Sequence, residues 1–197
     1  AGETLGGMAA LPATVVVPIA AFAGAAGTLL LSAPFQGLAP QDIAHDPTDN
    51  TFWVVSYLDG DVKHFDDQFN LLGSFPNPFG GVDGSTGICY YPTNDTFLMV
   101  EPRTFQMLEV DRTGAPVGID VVLGVLPVVN PFGAFLRGMA FLPNGGSGAG
   151  SVFVTETVGS VIYQFDLDGG LIDYFVHPDD PDGFPGMGAG AAAGFTY

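Results

Sequence analysis

The side chains that could support chemistry are few and lie far apart in the sequence. Three residues are histidine: His45, His64 and His177. His45 and His64 fall at different points of one predicted β unit, and no Asp or Glu combines with a Ser around them in the arrangement of a catalytic triad. A metal or acid–base site needs histidines or carboxylates that converge. We therefore interpret the histidines as ordinary strand or loop residues.

The run 177–183, His-Pro-Asp-Asp-Pro-Asp-Gly, is the best candidate for a calcium site. Closely spaced carboxylates supply the hard oxygen ligands that Ca²⁺ prefers. The spacing differs from that of an EF-hand loop, and two prolines stiffen the run. A solvated acidic loop after the last strand is the alternative, and we predict neither a metal site nor any other cofactor.

Two single residues carry further hypotheses. Cys89 is the one cysteine of the chain, which excludes an intrachain disulfide and a zinc site built from thiolates. It lies in an apolar run and is expected to be a buried small hydrophobe. Asn94, followed by Asp95 and Thr96, begins a glycosylation sequon on a predicted turn, so Asn94 is the candidate glycosylation site.

The charge of the chain excludes some classes of partner. The 197 residues include 21 acidic and only 4 basic side chains, for a formal net charge of -17. Such a chain repels phosphate backbones, so we predict no nucleic-acid partner. Charged residues make up 13% of the chain against 47% hydrophobic residues, so we expect some apolar surface to meet another protein.

The localisation is predicted from the start of the sequence and from its apolar runs. The sequence starts at Ala1 rather than at methionine, and its low lysine and cysteine content fits a secreted protein from which a leader was removed. Prolines and glycines interrupt the longest apolar region, residues 8–31, which makes it a poor transmembrane helix. We predict an extracellular or cell-surface protein without a membrane span.

A repeating unit of four short extended segments organises the chain. Units cover about residues 5–34, 37–76, 85–124 and 136–178, and the first of them is degenerate. The residue that ends the third segment falls at Phe22, Phe65, Val110 and Phe165, spacings of 43, 45 and 55 residues. A four-stranded propeller blade takes about 40–50 residues.

Local composition supports strands rather than helices. The segments are rich in β-branched and aromatic residues, and turns follow the third segment at Asp66, Asp111 and Asp166. The 29 glycines and 16 prolines lower helix propensity throughout. We predict an all-β, β-propeller-like fold of about four four-stranded antiparallel blades, forming one domain over residues 1–182.

The last residues are predicted to form one additional strand. Residues 183–193 read as a Gly/Ala-rich tether, and Gly194, Phe195, Thr196 and Tyr197 resemble the start of a first strand. An unpaired strand is a liability, so this one is expected either to close the ring or to insert into a neighbouring subunit. These four residues are the candidate self-assembly residues.

The second unit carries a recognisable pattern. Asp46-Pro47, Asn50, Phe52-Trp53-Val54, Gly60-Asp61-Val62 and Phe65-Asp66 resemble the blades of secreted bacterial and archaeal β-propellers of the NHL and YncE-like kind, over about residues 37–178. Propeller hydrolases similar to these place carboxylates, Asn and His around a central channel, usually on a metal. The corresponding first-strand positions here are small and apolar: Ala9, Ala44, Cys89 and Ala140, with Ile43, Ile88 and Met139 beside them. The resemblance therefore predicts a chain that is not an enzyme.

The leading functional hypothesis is a non-catalytic structural subunit of an extracellular filament or surface assembly. The chain would polymerise with copies of itself through β-strand and apolar contacts. The alternative is a secreted propeller module that binds a glycan or a protein, with Phe79, Phe132 and Phe184 as candidate stacking platforms for sugars. A calcium-dependent hydrolase is a third, less favoured hypothesis.

Overall fold

The fold consists of three consecutive four-stranded antiparallel sheets. The computed structural model describes residues 39–56, 60–80, 84–124, 136–145, 148–156 and 161–176. The strands are Pro40–Asp46 (β1), Thr51–Ser56 (β2), Asp61–Phe65 (β3), Leu71–Pro76 (β4), Gly87–Tyr91 (β5), Thr96–Val100 (β6), Gln106–Val110 (β7), Pro116–Val122 (β8), Leu136–Leu142 (β9), Ser151–Glu156 (β10), Val161–Asp166 (β11) and Leu171–Val176 (β12). Each strand pairs with the next one in its own sheet, which makes every sheet a simple meander. None of the described segments is a helix that could cross a membrane.

The first strands of the three sheets converge, and the fourth strands lie at the outside. The inner strands β1, β5 and β9 contact one another. The second strands are buried almost throughout, as in β2 and β6, which explains why their sequences are nearly continuous apolar runs. The outer strands β4 and β8 are mostly exposed. Burial is therefore highest in the second strands and lowest in the fourth strands.

Two apolar cores join the sheets face to face. Between the first and second sheets, Trp53, Val62 and Phe75 pack with Phe97 and Met99. Between the second and third sheets, a second core combines Leu98, Met107, Met139, Val154 and Tyr163. In the strands of the second sheet, successive side chains thus belong to opposite cores, because the side chains of a β-strand alternate between its two faces.

The turns between third and fourth strands repeat one local design. In each, the Asp that follows the third strand accepts hydrogen bonds from the backbone N–H groups two and four residues later. The position three residues after that Asp has a positive φ, and it is occupied by Gly114 (83°) and Gly169 (85°). The first sheet places Phe69 there, with φ of 62°, and its ring stacks on Phe52. Packing of that ring offsets the strain of a non-glycine residue in the left-handed region.

The predicted fold class is confirmed: the chain is all-β and its described residues form propeller-like four-stranded sheets. Three of the predicted four blades fall within the described residues. The predicted first unit, residues 5–34, and the predicted terminal strand, residues 194–197, lie outside them. The division at residues 182 and 183 also lies there and stays a prediction.

Candidate functional site at the propeller axis

A pocket of about 250 Å³ opens between the three inner strands. Its lining comes in layers, because equivalent positions of β1, β5 and β9 face the same space. The deep layers hold Ile43, Ile88 and Met139, then Ala44, Cys89 and Ala140. Nearly all of these side chains are buried, so the floor of the pocket is apolar.

The mouth of the pocket is aromatic and rigid. The next layer toward solvent holds His45, Tyr90 and Phe141, and the outermost layer holds Pro47, Pro92 and Pro143. His45 and the three prolines are exposed, which places the opening at the end of the sheets where the first-to-second-strand turns lie. This end of the sheets is called the turn face below.

Asp42 lies at the junction of the three inner strands. Its Oδ2 accepts hydrogen bonds from the backbone N–H of Ile88 and of Met139, both at 2.9 Å, so one carboxylate on β1 links β5 and β9. The residue is 5% exposed, and its Oδ1 has no hydrogen-bond partner. Burial raises the pKa of Asp42 to about 7, although the backbone hydrogen bonds act in the opposite direction.

Cys89 does not supply a reactive thiolate at the floor of the pocket. Its side chain is buried, and burial together with the nearby charge of Asp42 raises the pKa of the thiol above its ordinary value. A thiol is a nucleophile only as its thiolate. The predicted role of Cys89 as a small apolar residue therefore agrees with its surroundings.

Several carboxylates lie beside the mouth, on the side of the first and second sheets, and one arginine holds them together. Arg112, on the turn between β7 and β8, lies 2.5 Å from Asp46, 3.2 Å from Asp49 and 2.8 Å from Asp95. Because Asp46 and Asp49 belong to the first sheet, this cluster ties the first sheet to the second. Tyr90 of the pocket mouth donates from its hydroxyl to Asp95 at 2.9 Å. Burial and this hydrogen bond raise the pKa of Tyr90 to about 12, so the hydroxyl stays protonated.

The structure separates the histidines. His45 is exposed at the pocket mouth, and its Nε2 lies 3.2 Å from Oδ1 of Asn50. His64 stacks on Trp53, with ring centroids 3.9 Å apart, and burial lowers its pKa. His177 and the acidic run that follows it lie outside the described residues. Among the described ranges, no three His, Cys, Asp or Glu side chains are arranged to hold a metal ion.

Asn94 lies on the exposed turn between β5 and β6. Its Nδ2, the atom that a glycan would modify, donates to Oε1 of Glu109 at 2.8 Å. Glu109 is buried and also accepts from Thr96 and from the backbone of Ile119. Glycosylation of Asn94 stays a prediction; it would replace one of the two Nδ2 hydrogens, and the other would have to make the hydrogen bond to Glu109.

Sequence reasoning missed Asp42 and the Arg112 cluster. Aligned copies of the repeat carry a signal for Asp42, because the equivalent positions in the next two units are Gly87 and Gly138. An acidic residue in a column of glycines at the start of an inner strand is out of place unless it has a local role. Arg112 gives no comparable signal, since its partners in the first sheet are more than 60 residues away.

Comparison with solved structures identifies the class of protein. No protein-family model matches the sequence, and no curated protein matches it. Glutaminyl cyclase from Myxococcus xanthus gives a TM-score of 0.61 at 11% identity, over 86% of this chain and 67% of that one. Virginiamycin B lyase from Staphylococcus aureus gives 0.49 at 16% identity, over 75% and 44% of the two chains. The WD40 domain of Pan2 from Neurospora crassa gives 0.41 at 15% identity, over 73% and 40%.

These likenesses show the fold alone, and that fold is the β-propeller. The chain spans 44% of the length of the lyase. The propeller part of the sequence-based resemblance is confirmed, whereas its assignment to the NHL and YncE-like kind stays a prediction.

The prediction that the chain is not an enzyme is wrong. Glutaminyl cyclase, an enzyme by name, has the same fold, so small apolar residues on the inner strands are no ground for excluding catalysis.

Proposed function

We propose that this chain is a propeller module of an extracellular filament or surface assembly, and that its copies associate through their outer strands. One observation carries the proposal. Within the described ranges, every large hydrophobic side chain that is exposed lies on the outermost strand of a sheet: Leu71 and Leu72 on β4, Val117 and Val122 on β8, and Ile172, Tyr174 and Phe175 on β12. Apolar residues concentrated at one part of a surface indicate an interaction site.

The outer strands carry little of the charge that protects many natural sheet edges, and their prolines, Pro76 and Pro116, lie at strand ends. Edge strands commonly carry lysine or inward-pointing charges that prevent pairing with another chain. Here β4 contains no charged residue, and β8 and β12 contain one Asp each. Their outward backbone groups are therefore available for strand addition by a partner.

Among the described surfaces, the charge of the chain favours a second copy at these edges. With a net charge of -17, two copies repel each other wherever their carboxylates meet. The turn face holds several aspartates, whereas the outer strands are nearly uncharged. Contact between copies is therefore least opposed along β4, β8 and β12. Head-to-tail contacts of this kind extend into fibres when they do not close.

Three lysines on the outer strands test the proposal. Leu72→Lys, Val117→Lys and Ile172→Lys together place a charge at each edge, and they should leave the chain monomeric at concentrations at which the unmodified chain assembles. Sedimentation velocity and negative-stain electron microscopy measure the assembly.

A control variant separates an edge effect from a change of net charge. Gln68→Lys, Ala115→Lys and Asn144→Lys add the same three charges at exposed turn positions. This variant should assemble as well as the unmodified chain. A monomeric unmodified chain at high concentration would contradict the proposal, and so would equal assembly of both lysine variants.

A further inference from the structure

The axial pocket combines features that favour one chemical class of ligand. Its floor is apolar and its mouth carries the three rings of His45, Tyr90 and Phe141. Its volume of about 250 Å³ lies just below the roughly 300 Å³ at which pockets for drug-sized ligands begin. A ligand of the size of one substituted ring would fill it.

The hydrogen-bonding groups of the lining argue against a sugar. The floor side chains are aliphatic apart from the Cys89 thiol, and the hydroxyl of Tyr90 is already engaged by Asp95. Sugar hydroxyls buried in such a pocket would find few side-chain partners to replace their hydrogen bonds to water, and each one left unpaired is costly. An apolar or aromatic body loses nothing comparable and gains from burial.

The charged groups beside the mouth predict whether the ligand is a cation or an anion. Lys63, Arg103, Arg112 and Arg137 are the four basic residues of the whole chain. Arg112 is the one among them that lies in the aspartate cluster at the mouth, and it pairs there with Asp46, Asp49 and Asp95. Three carboxylates against one guanidinium leave the mouth negative. Asp67 adds a further carboxylate, since it accepts from Asn50, the partner of His45.

A carboxylate also lies behind the floor. Oδ2 of Asp42 is 2.9 Å from the backbone nitrogens of Ile88 and Met139, and both of these residues line the pocket. Above about pH 7 the Asp42 carboxyl is ionised, and an anionic ligand would then meet negative charge behind the floor as well as beside the mouth. A cation at the mouth is attracted by the carboxylates, and Tyr90 and Phe141 are rings of the kind that bind cations.

We infer that the axial pocket binds a small organic cation with an apolar or aromatic body, the body between the inner strands and the cationic group among His45, Tyr90 and Phe141. This site is separate from the outer strands, so the inference does not depend on assembly of the chain. A bare metal ion is not the expected ligand, because the lining contains no side-chain carboxylate or amide.

Three ring compounds of equal size test the inference: 2-phenylethylammonium, 2-phenylethanol and phenylacetate. The chain contains five methionines, and Met139 lines the pocket while Met99 and Met107 are buried in the two inter-sheet cores. In a sample labelled with ¹³C at the methionine methyl groups, the cation should shift the Met139 signal saturably and leave those of Met99 and Met107 in place. Met139→Leu assigns the signal.

The comparison among the three compounds tests whether the pocket prefers a cation. We expect the cation to bind at least tenfold more tightly than phenylacetate, with the alcohol between them, and the difference should shrink in high salt. Absence of any Met139 shift at millimolar cation would overturn the inference. Equal affinity for all three compounds would overturn it as well.

Two variants with one control locate the site. Asp95→Asn keeps an acceptor for Tyr90 but removes a charge at the mouth, and it should weaken cation binding roughly two- to fivefold. Asp120→Asn removes the same charge on the outer strand β8 and should leave the affinity unchanged. Ala140→Val narrows the floor of the pocket and should abolish binding. If Ala140→Val fails to fold, the comparison of Asp95→Asn with Asp120→Asn still tests the site. Equal effects of Asp95→Asn and Asp120→Asn would contradict the assignment.

Discussion

The inner and outer strands of this propeller use similar residue types under opposite constraints. Side chains of β5 and β9 are almost all buried, whereas those of β8 are mostly exposed. The inner strands of three sheets share one small space, so most of their side chains pack against another sheet. Within the described sheets, each outer strand has one neighbouring strand. The same substitution should therefore have very different consequences in the two regions.

Carboxylates in the two regions also differ in burial and in hydrogen bonding. Asp42 on the inner strand β1 is desolvated and has one oxygen without a hydrogen bond. Asp111, on the turn that leads to the outer strand β8, accepts from its own turn at Thr113 and Ala115. Those hydrogen bonds lower the pKa of Asp111, whereas burial raises that of Asp42. The two carboxylates thus give opposite contributions to the pH dependence of stability.

The largest expected effect is that of Asp42→Asn, which removes the contribution of Asp42 to the pH dependence of stability. The pKa of Asp42 rises from its ordinary 3.8 to about 7 on folding. Between these values the folded chain binds more protons than the unfolded chain, so the contribution of Asp42 to stability falls as pH rises from 4 to 7 and is constant above. The unmodified chain should lose about 4 kcal/mol relative to Asp42→Asn between pH 4 and pH 8.

Urea unfolding at pH 4.5, 6 and 8 measures this difference. The other carboxylates titrate in both proteins and cancel when the two free energies of unfolding are subtracted. Asp173→Asn, on the outer strand β12, removes a charge as well and should run parallel to the unmodified chain. A constant difference between Asp42→Asn and the unmodified chain at all three pH values would show that Asp42 does not titrate in this range.

The next effect in size is expected from Gly87→Ala on the inner strand β5. A Cβ at Gly87 would lie 2.6 Å from Cγ of Met139 and closer still to the carbonyl oxygen of Arg137. Both neighbours belong to β9, so the second and third sheets would have to move apart. We expect a loss of about 3 kcal/mol in the free energy of unfolding, measured with urea. A loss below about 1 kcal/mol would mean that the inner strands pack less closely than described.

The smallest effect is expected from Gly73→Ala on the outer strand β4. A Cβ at Gly73 would have no atom within 4 Å. Alanine restricts the unfolded chain more than glycine, so this variant should be stabilised by about 0.5 kcal/mol. The same denaturation experiment compares it with Gly87→Ala. Similar losses in both variants would remove the contrast between inner and outer strands.

Much of the fold could be predicted because its signals are local. The Asp residues at 66, 111 and 166 bond to backbone groups at most four residues away, so their turns form wherever that short sequence occurs. The candidate site depends on residues from different repeats. His45 was interpreted as an ordinary strand residue, and its place at the pocket mouth beside Tyr90 and Phe141 follows from the convergence of three strands.

The sequence by itself determined the strands, the turns and the four-stranded unit, because each depends on the period of side chains and on hydrogen bonds within a few residues. It also determined the negative net charge of the chain, which repels any negatively charged partner. Which strands are inner was predicted only through the resemblance, and the tertiary structure decided which side chains that placement buries. That placement buries Asp42 among three sheets and leaves Leu72 in solvent, since burial depends on neighbours far away in the sequence.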